Sequence, residues 1–156
     1  MEFHKNIRLS KGVYEVPFQL CSITISTVAR QPIFSKTEFT KGCIEILKEY
    51  AQKYDIKCHV FCFMPDHIHL LAEATPTKSL IVIVQELKGL WTRAAWQYRF
   101  HGAVFQKSFF DHFLRKDEDI MTVVKYILNN PVRAKIVERW QEYQFLGSTV
   151  YNLNEL

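Results

Sequence analysis

Two apolar runs joined by a tight turn constrain the fold of this chain more than any other feature. Residues 56–64 predict one β-strand, Pro65 and Asp66 supply the turn, and a second strand runs from residue 67 to residue 73 or 74. A turn this short can only join antiparallel neighbours, because parallel strands need a long crossover. The sequence therefore predicts a β-hairpin.

The remaining segments alternate between strand and helix patterns. We expect a polar N-terminal segment (residues 1–17), a strand (18–28), a helix (37–54), the hairpin, a long helix (79–100) capped by Ser79 or Thr77, a strand (104–114) and a last helix (about 117–129). The apolar run at residues 80–84 also suits a strand, but the helical pattern beyond it favours a helix.

This order of elements predicts the fold class. The first six elements match the split β-α-β, ferredoxin-like arrangement. We expect an α+β fold in which helices pack on one face of a four-stranded antiparallel sheet, followed by a C-terminal helix that carries Tyr126. At 156 residues the chain is expected to form one domain, residues 1–156, with its core at about residues 10–140.

Composition narrows the class of protein. The net charge is +4, and residues 88–116 combine six basic residues and one acidic residue with eight aromatics. That mixture suits a single-stranded nucleic acid, although most of the rings are also expected in the core. Without a signal peptide or a long apolar run, the chain is expected to be soluble and cytosolic. The four cysteines are expected to be reduced and buried, with a zinc site at Cys62 as the alternative.

Two histidines stand inside the second strand of the hairpin. Side chains two apart in a strand share a face, so His67 and His69 lie side by side while Ile68 points away. Two imidazoles at this spacing can bind one divalent ion. A pair of ordinary strand histidines also explains the tripeptide, and the tripeptide alone favours that interpretation.

A second group of polar residues lies near the end of the last helix. Tyr126 and Asn130 are four residues apart and share a helix face, and Pro131 is expected to end the helix. A metal held by His67, His69 and the Asn130 carbonyl oxygen would lie near the Tyr126 hydroxyl. Such an arrangement suits phosphoryl transfer through a covalent tyrosine intermediate.

Three stretches in the right order carry a resemblance to a known family. They are Met64-Pro65-Asp66-His67-Ile68-His69-Leu70, Phe105-Gln106-Lys107-Ser108-Phe109-Phe110-Asp111-His112 and Tyr126-Ile127-Leu128-Asn129-Asn130-Pro131-Val132-Arg133-Ala134. With Lys88-Gly89, they make the chain similar to the single-tyrosine HUH transposases. Within this superfamily it most resembles the REP-associated tyrosine transposases, which are bacterial relatives of insertion-sequence transposases linked to repetitive extragenic palindromes.

The resemblance implies a mechanism and its residues. His67 and His69 would bind a divalent metal, Mg²⁺ or Mn²⁺, with Asn130 as the third protein ligand, and Tyr126 would be the nucleophile. The substrate would be single-stranded or hairpin DNA, cleaved and rejoined through a 5′-phosphotyrosine link. The protein would work in the bacterial cytoplasm, associated with the nucleoid and not with a membrane. Relatives occur as monomers and as dimers that exchange tyrosine helices, so a homodimer stays open.

Other assignments and functions accompany this hypothesis. We expect Lys88, Lys107, Arg115 and Arg133 to contact DNA phosphates. Asp111 and His112 either support the metal histidines or point outward from an exposed strand, and Tyr98 and Tyr143 are the alternative nucleophiles. A domesticated hairpin-binding protein that cuts poorly is the second functional hypothesis, and a metal-dependent hydrolase is the third.

Overall fold

The structure is a computed structural model that describes Gly12 and residues 18–156. The polar segment predicted at residues 1–17 therefore lies, apart from Gly12, outside the described residues. The described helices and strands are β1 (Leu20–Ser26), α1 (Thr37–Lys53), β2 (Cys58–Met64), β3 (His67–Glu73), α2 (Leu80–Gln97), β4 (Phe110–Phe113), α3 (Ile120–Leu128), α4 (Asn130–Arg133) and β5 (Leu146–Gly147).

The predicted hairpin is confirmed and lies in the middle of the sheet. β2 and β3 pair antiparallel, with Met64 opposite His67 across the turn. The strand order is β4-β1-β3-β2-β5, and every pairing is antiparallel. The first four strands give the expected ferredoxin-like sheet, and β5 is a fifth strand that the sequence did not predict.

The fifth strand depends on one close approach between backbone and ring. β5 pairs Gly147 with Phe61 and Leu146 with Cys62. A Cβ atom on Gly147 would lie 2.5 Å from Cζ of Phe61, which is closer than real contacts allow. A glycine is therefore required there, because any side chain would displace either the strand or the ring.

The two faces of the sheet bury different sets of side chains. One face packs against α1 and α2 and forms the larger cluster, in which Phe34, Phe63 and Trp91 are almost fully buried. The opposite face packs against α3, through four sheet residues (Val60, Cys62, Met64 and Leu71) and four helix residues (Val123, Val124, Ile127 and Leu128). Because side chains alternate along β3, Leu71 places its odd-numbered neighbours, His67 and His69, on the α3 face.

The first residues of α2 and of α3 are each capped by a side chain. The Ser79 side chain accepts a hydrogen bond from the Val82 amide, so Ser79, and not the alternative Thr77, caps α2. Asp119 caps α3 by accepting from the amides of Met121 and Thr122. The acidic start predicted for the last helix is therefore confirmed, with the helix proper beginning after Asp119.

The fourth strand is shorter than expected. The sequence predicted a strand over residues 104–114, but only Phe110–Phe113 pair continuously with β1. Before them, Phe105 makes an isolated bridge to Thr27 and the chain bends at residues 107 and 108. Lys88 Nζ donates to the carbonyl of Gln106 at 2.6 Å, which holds this segment against α2. This tertiary contact lies next to the point where the predicted strand is interrupted.

Pro131 does not end the last helix as predicted. α3 stops at Leu128, Asn129 leaves helical geometry, and α4 then begins at Asn130 with Pro131 in its first turn. A proline is tolerated there because the first amides of a helix need no partner within the helix. The tyrosine segment is therefore two short helices with a break one residue before the expected position.

Beyond α4 the chain returns to the outer edge of β2. Thr149 donates its amide to the Cys58 carbonyl, and the Tyr151 hydroxyl lies 2.9 Å from Nδ1 of His59. The other ring nitrogen of His59 lies 2.6 Å from a Glu73 oxygen. These contacts attach the last described segment to the sheet.

The cysteines agree with the expectation that they are reduced and buried. All four cysteines are free and buried. Burial raises the pKa of Cys62 to about 12, so its side chain is a thiol at neutral pH. Among the described helices, none has the length and apolar content needed to cross a membrane.

Candidate active site

Two imidazole rings form the centre of the candidate site. Nε2 of His67 and Nε2 of His69 lie 3.0 Å apart, with the ring planes at 88°. Two nitrogens bound at right angles to one octahedral ion, each at about 2.1 Å, are separated by about 3.0 Å, whereas tetrahedral ligands at that bond length are about 3.4 Å apart. The two nitrogens are therefore close enough to bind one divalent ion, and a hydrogen bond between the rings gives the same distance.

The outer nitrogen of each ring has its own partner. His67 Nδ1 donates to Asp66 Oδ1 at 2.6 Å, which leaves the lone pair on Nε2. His69 Nδ1 lies 3.0 Å from the hydroxyl of Thr24 on β1. A hydroxyl can donate or accept, so Thr24 allows His69 to present Nε2 either as an N–H to His67 or as a lone pair to an ion.

Arg30 braces this arrangement from the end of β1. Its Nε donates to Asp66 Oδ2 at 3.0 Å, and its Nη1 donates to the hydroxyl of Ser26 at 3.0 Å. Ser26 is the direct cross-strand partner of His67. The carboxylate that orients His67 is therefore itself held by a cation and cannot rotate freely.

The electrostatics of the site keep both histidines neutral. Burial, helped by the charges of His67, Arg133 and Arg30, lowers the pKa of His69 to about 3. Burial also lowers the pKa of His67, although Asp66 partly opposes that shift. Burial works to raise the pKa of Asp66, but the hydrogen bonds and charges of His67 and Arg30 outweigh it and hold that pKa below its usual value. At neutral pH the rings are thus in the form that binds metals.

The tyrosine segment contributes a cation as well as a phenol. The Arg133 guanidinium lies 3.7 Å from the centroid of the Tyr126 ring, and its Nη2 donates to Asn130 Oδ1 at 2.8 Å. Arg133 also lowers the pKa of His69 through its charge. Arg133 therefore links the tyrosine, the asparagine and the electrostatic environment of the histidine pair.

The side-chain amide of Asn130 does not use all of its hydrogen-bonding capacity among the described residues. Its Oδ1 accepts from Arg133 and keeps a second lone pair, while its Nδ2 is buried without a partner among the described residues. Among the residues the structure describes, no group of three or more His, Cys, Asp or Glu side chains is arranged to hold a metal. A metal at the histidine pair would need a ligand of another type, such as an amide oxygen.

The remaining predicted residues lie in several places. Lys88 and the exposed Lys107 flank the segment beside β1, where Lys88 Nζ is 3.5 Å from the Lys107 carbonyl. Arg115 is exposed in the turn before α3, and its amide donates to Glu118. His112 Nε2 lies 2.9 Å from a Glu118 oxygen, whereas the outer nitrogens of His67 and His69 contact Asp66 and Thr24. Of the two alternatives for His112, these contacts favour the one in which it does not support the metal histidines.

The two alternative tyrosines are engaged elsewhere. Tyr98 follows α2 and packs its ring against Phe39, on the face of the sheet opposite α3. Tyr143 donates its hydroxyl to the Phe63 carbonyl at 2.5 Å, and burial raises the pKa of that hydroxyl well above its usual value. Of the three candidates, Tyr126 is the one on the helix that covers the histidine face.

Sequence reasoning missed the residues that orient the pair. Asp66 stands next to His67, and a carboxylate beside a candidate ligand was an available signal. Thr24 and Arg30 belong to a segment about 40 residues away, and only the pairing of Thr24 with His69 brings that hydroxyl to the ring. No spacing rule could have identified them.

The sequence of this chain is similar to those of known transposases. Residues 19–130 match the family model described as IS200-like transposase. A curated Haemophilus influenzae protein, assigned as a REP-associated tyrosine transposase, is 28% identical in an alignment of 121 residues that covers 70% of this chain and 68% of the relative. These matches confirm the resemblance inferred from the three sequence stretches.

Two solved structures share the fold. One is a REP-associated tyrosine transposase bound to a REP hairpin, with a TM-score of 0.70 and 16% identity over 92% of this chain and 82% of that one. The other is assigned as a transposase from Deinococcus radiodurans, with a TM-score of 0.53 and 21% identity over 83% of this chain and 97% of that one. The expected α+β architecture is confirmed.

Proposed function

This chain belongs to the IS200-like transposase family, a family of DNA-processing enzymes, and from that premise we propose that it cleaves and rejoins single-stranded or hairpin DNA through Tyr126. The observation that best supports the proposal is the pair of Nε2 atoms 3.0 Å apart, each ring oriented by a separate partner, on the face covered by the tyrosine helix. Ordinary strand histidines do not need this convergence.

The proposed metal ligands are His67, His69 and Asn130. The neutral imidazoles offer two nitrogens, and the second lone pair of Asn130 Oδ1 offers an oxygen. When bound, Mg²⁺ or Mn²⁺ would offset charge on the scissile phosphate and orient it. Imidazole ligands suit Mn²⁺, and cellular abundance favours Mg²⁺.

The proposed nucleophile is the Tyr126 hydroxyl. A phenol at neutral pH is a weak nucleophile, so the negative charge that develops on its oxygen needs a nearby cation. Arg133 supplies one, since its guanidinium already lies over the ring. Its exposed face can also contact a phosphate that approaches Tyr126.

The proposed reaction is a transesterification that conserves the number of phosphate ester bonds. The Tyr126 oxygen bonds to phosphorus, the bond to the DNA 3′-oxygen breaks, and that oxygen takes a proton to become a 3′-hydroxyl. A second 3′-hydroxyl then attacks the phosphotyrosine and releases the phenol. Because each step exchanges one ester for another, no nucleotide triphosphate is consumed.

The proposed partner follows from the family and from the solved relative. That relative is described bound to a REP hairpin, and the +4 charge of this chain suits a polyanion. We expect DNA to contact Arg115 and Arg133 on the α3 side of the molecule. A homodimer and a nucleoid-associated, cytoplasmic location remain part of this proposal.

Formation of a covalent adduct tests the proposal. The protein is incubated with labelled single-stranded hairpin DNA and Mn²⁺, and the products are separated on a denaturing gel. The wild type should retain label, Tyr126→Phe should bind DNA without an adduct, and Tyr98→Phe, on the opposite face, should behave as wild type. An adduct that persists in Tyr126→Phe, or full cleavage in excess EDTA, would overturn the assignment. Binding without any adduct in the wild type would favour the binding-only hypothesis.

A further inference from the structure

A cavity lies at the edge of the sheet, on the side away from the histidine pair. A cavity of about 420 Å³, here called the edge pocket, opens between α2 and residues 102–107. Its floor includes the buried side chains of Val104 and Phe105, and its wall includes Trp96. Pockets of this size accept small planar ligands.

Trp96 is a fixed and exposed aromatic surface. The residue is 51% exposed, and its Nε1 donates to the Gly102 carbonyl at 2.9 Å. Gly102 has φ +68°, a conformation that glycine adopts at little cost, so the turn can present that carbonyl. Trp91, five residues earlier, is fully buried and packs in the core. The Trp96 ring is thus held in position with a free face, as a stacking partner would require.

The edge pocket carries positive charge. Lys88, Arg93 and Lys107 line it, and none of the described residues lining it is acidic. A larger cavity between α1 and α2, of about 570 Å³, is lined by two glutamates, Glu49 and Glu86, as well as by basic residues. The edge pocket, and not the larger one, therefore complements a polyanion that carries planar groups.

The edge pocket is connected to the candidate active site through one row of the sheet. Gln106 donates its amide to the Ser26 carbonyl, and Ser26 pairs with His67. Two strand spacings, roughly 10 Å, therefore separate the backbone of Gln106 from that of His67. A single strand that leaves the histidine pair can pass over this edge and reach Trp96.

We propose that the edge pocket binds a nucleobase of the single-stranded DNA that flanks the cleavage site, with the base stacked on Trp96 and the adjacent phosphates contacted by Arg93 and Lys107. Basic residues combined with an exposed ring are the usual means of binding single strands without reading their sequence. The inference rests on the proposed function for its substrate. It adds a subsite on the opposite side of the sheet edge from the tyrosine.

Binding without metal tests the subsite separately from the chemistry. The full chain in EDTA is titrated with an oligothymidylate and with the same strand made abasic, and tryptophan emission and affinity are measured. The wild type should bind the abasic strand more weakly and should be quenched only by the base-bearing strand. Trp96→Ala should weaken binding of the base-bearing strand by roughly 5- to 150-fold and leave the abasic strand unchanged.

Matched variants make the outcome specific. Tyr98→Ala removes another exposed ring of the same helix region, outside the edge pocket, and should bind both strands as wild type does. Lys107→Ala should weaken both strands equally. Equal affinity of the wild type and Trp96→Ala for oligothymidylate, or equal quenching of the wild type and Trp96→Phe, would overturn the proposal. Those results would leave adduct formation by Tyr126 untouched, and a missing adduct would leave base binding untouched.

Discussion

The histidine pair makes the stability of the fold depend on pH in a way that can be calculated. Burial and the neighbouring charges lower the pKa of His69 to about 3 from an ordinary value of 6.5. Protons therefore bind the unfolded chain more readily than the folded one. The contribution of His69 is fully present above pH 6.5 and is lost progressively as the pH falls from 6.5 towards 3.

The magnitude follows from those two values. Between pH 7.5 and pH 5.0, linkage predicts that His69 alone lowers the free energy of unfolding by about 2 kcal/mol. The measurement is urea unfolding at both pH values, in EDTA so that no metal contributes. The wild type should lose about 2 kcal/mol more than His69→Asn over this interval.

An exposed histidine provides the control. His101 is exposed in the turn after α2, so His101→Asn should show the same pH dependence as the wild type. If His69→Asn loses as much free energy of unfolding as the wild type between the two pH values, the argument that burial keeps this ring neutral is refuted.

Two further substitutions test contacts that the fold creates. Thr24→Val keeps the shape of the side chain but removes the hydroxyl beside His69, so Mn²⁺ should bind about 10- to 100-fold more weakly in calorimetric titration. Ser22→Ala is the control, because it removes a buried hydroxyl that has no partner among the described residues, and this variant should bind Mn²⁺ as the wild type does. Gly147→Ala forces a methyl group into the Phe61 ring and should lower the free energy of unfolding in urea by about 1–3 kcal/mol. In the control, Gly42→Ala on α1, the added methyl group meets nothing within 4 Å and should not destabilise the protein. Equal stability of the two variants would contradict the argument for β5.

The sequence predicted those elements whose signals are local. The hairpin could be inferred because Pro65 and Asp66 separate two apolar runs, and α2 because Ser79 precedes a long helical pattern. β5 could not be inferred, since two residues carry no periodicity and Gly147 is required by the distant Phe61 ring. The bend in the predicted fourth strand could not be inferred either, and the contact beside it comes from Lys88 on another element, α2.

The candidate site shows the same division. The histidine pair and the spacing from Tyr126 to Asn130 are visible in the chain, and their proposed roles remain predictions. Pro131 was misinterpreted because proline ends one helix or begins another, and only the geometry of Asn129 distinguishes these. The contact between Arg133 and the Tyr126 ring joins residues of two successive helices, α3 and α4, and the sequence analysis did not predict it.

The unequal lengths of the strands affect the tendency of this protein to aggregate through the edges of its sheet. The three inner strands have seven residues each, whereas the outermost strands, β4 and β5, have four and two. Unpaired strand edges invite neighbouring chains to add to a sheet and thereby seed aggregates. Here the long, apolar inner strands are covered on both sides by outer strands that are too short to pair with another chain. This arrangement protects the β2–β3 hairpin from aggregating with other copies of the protein.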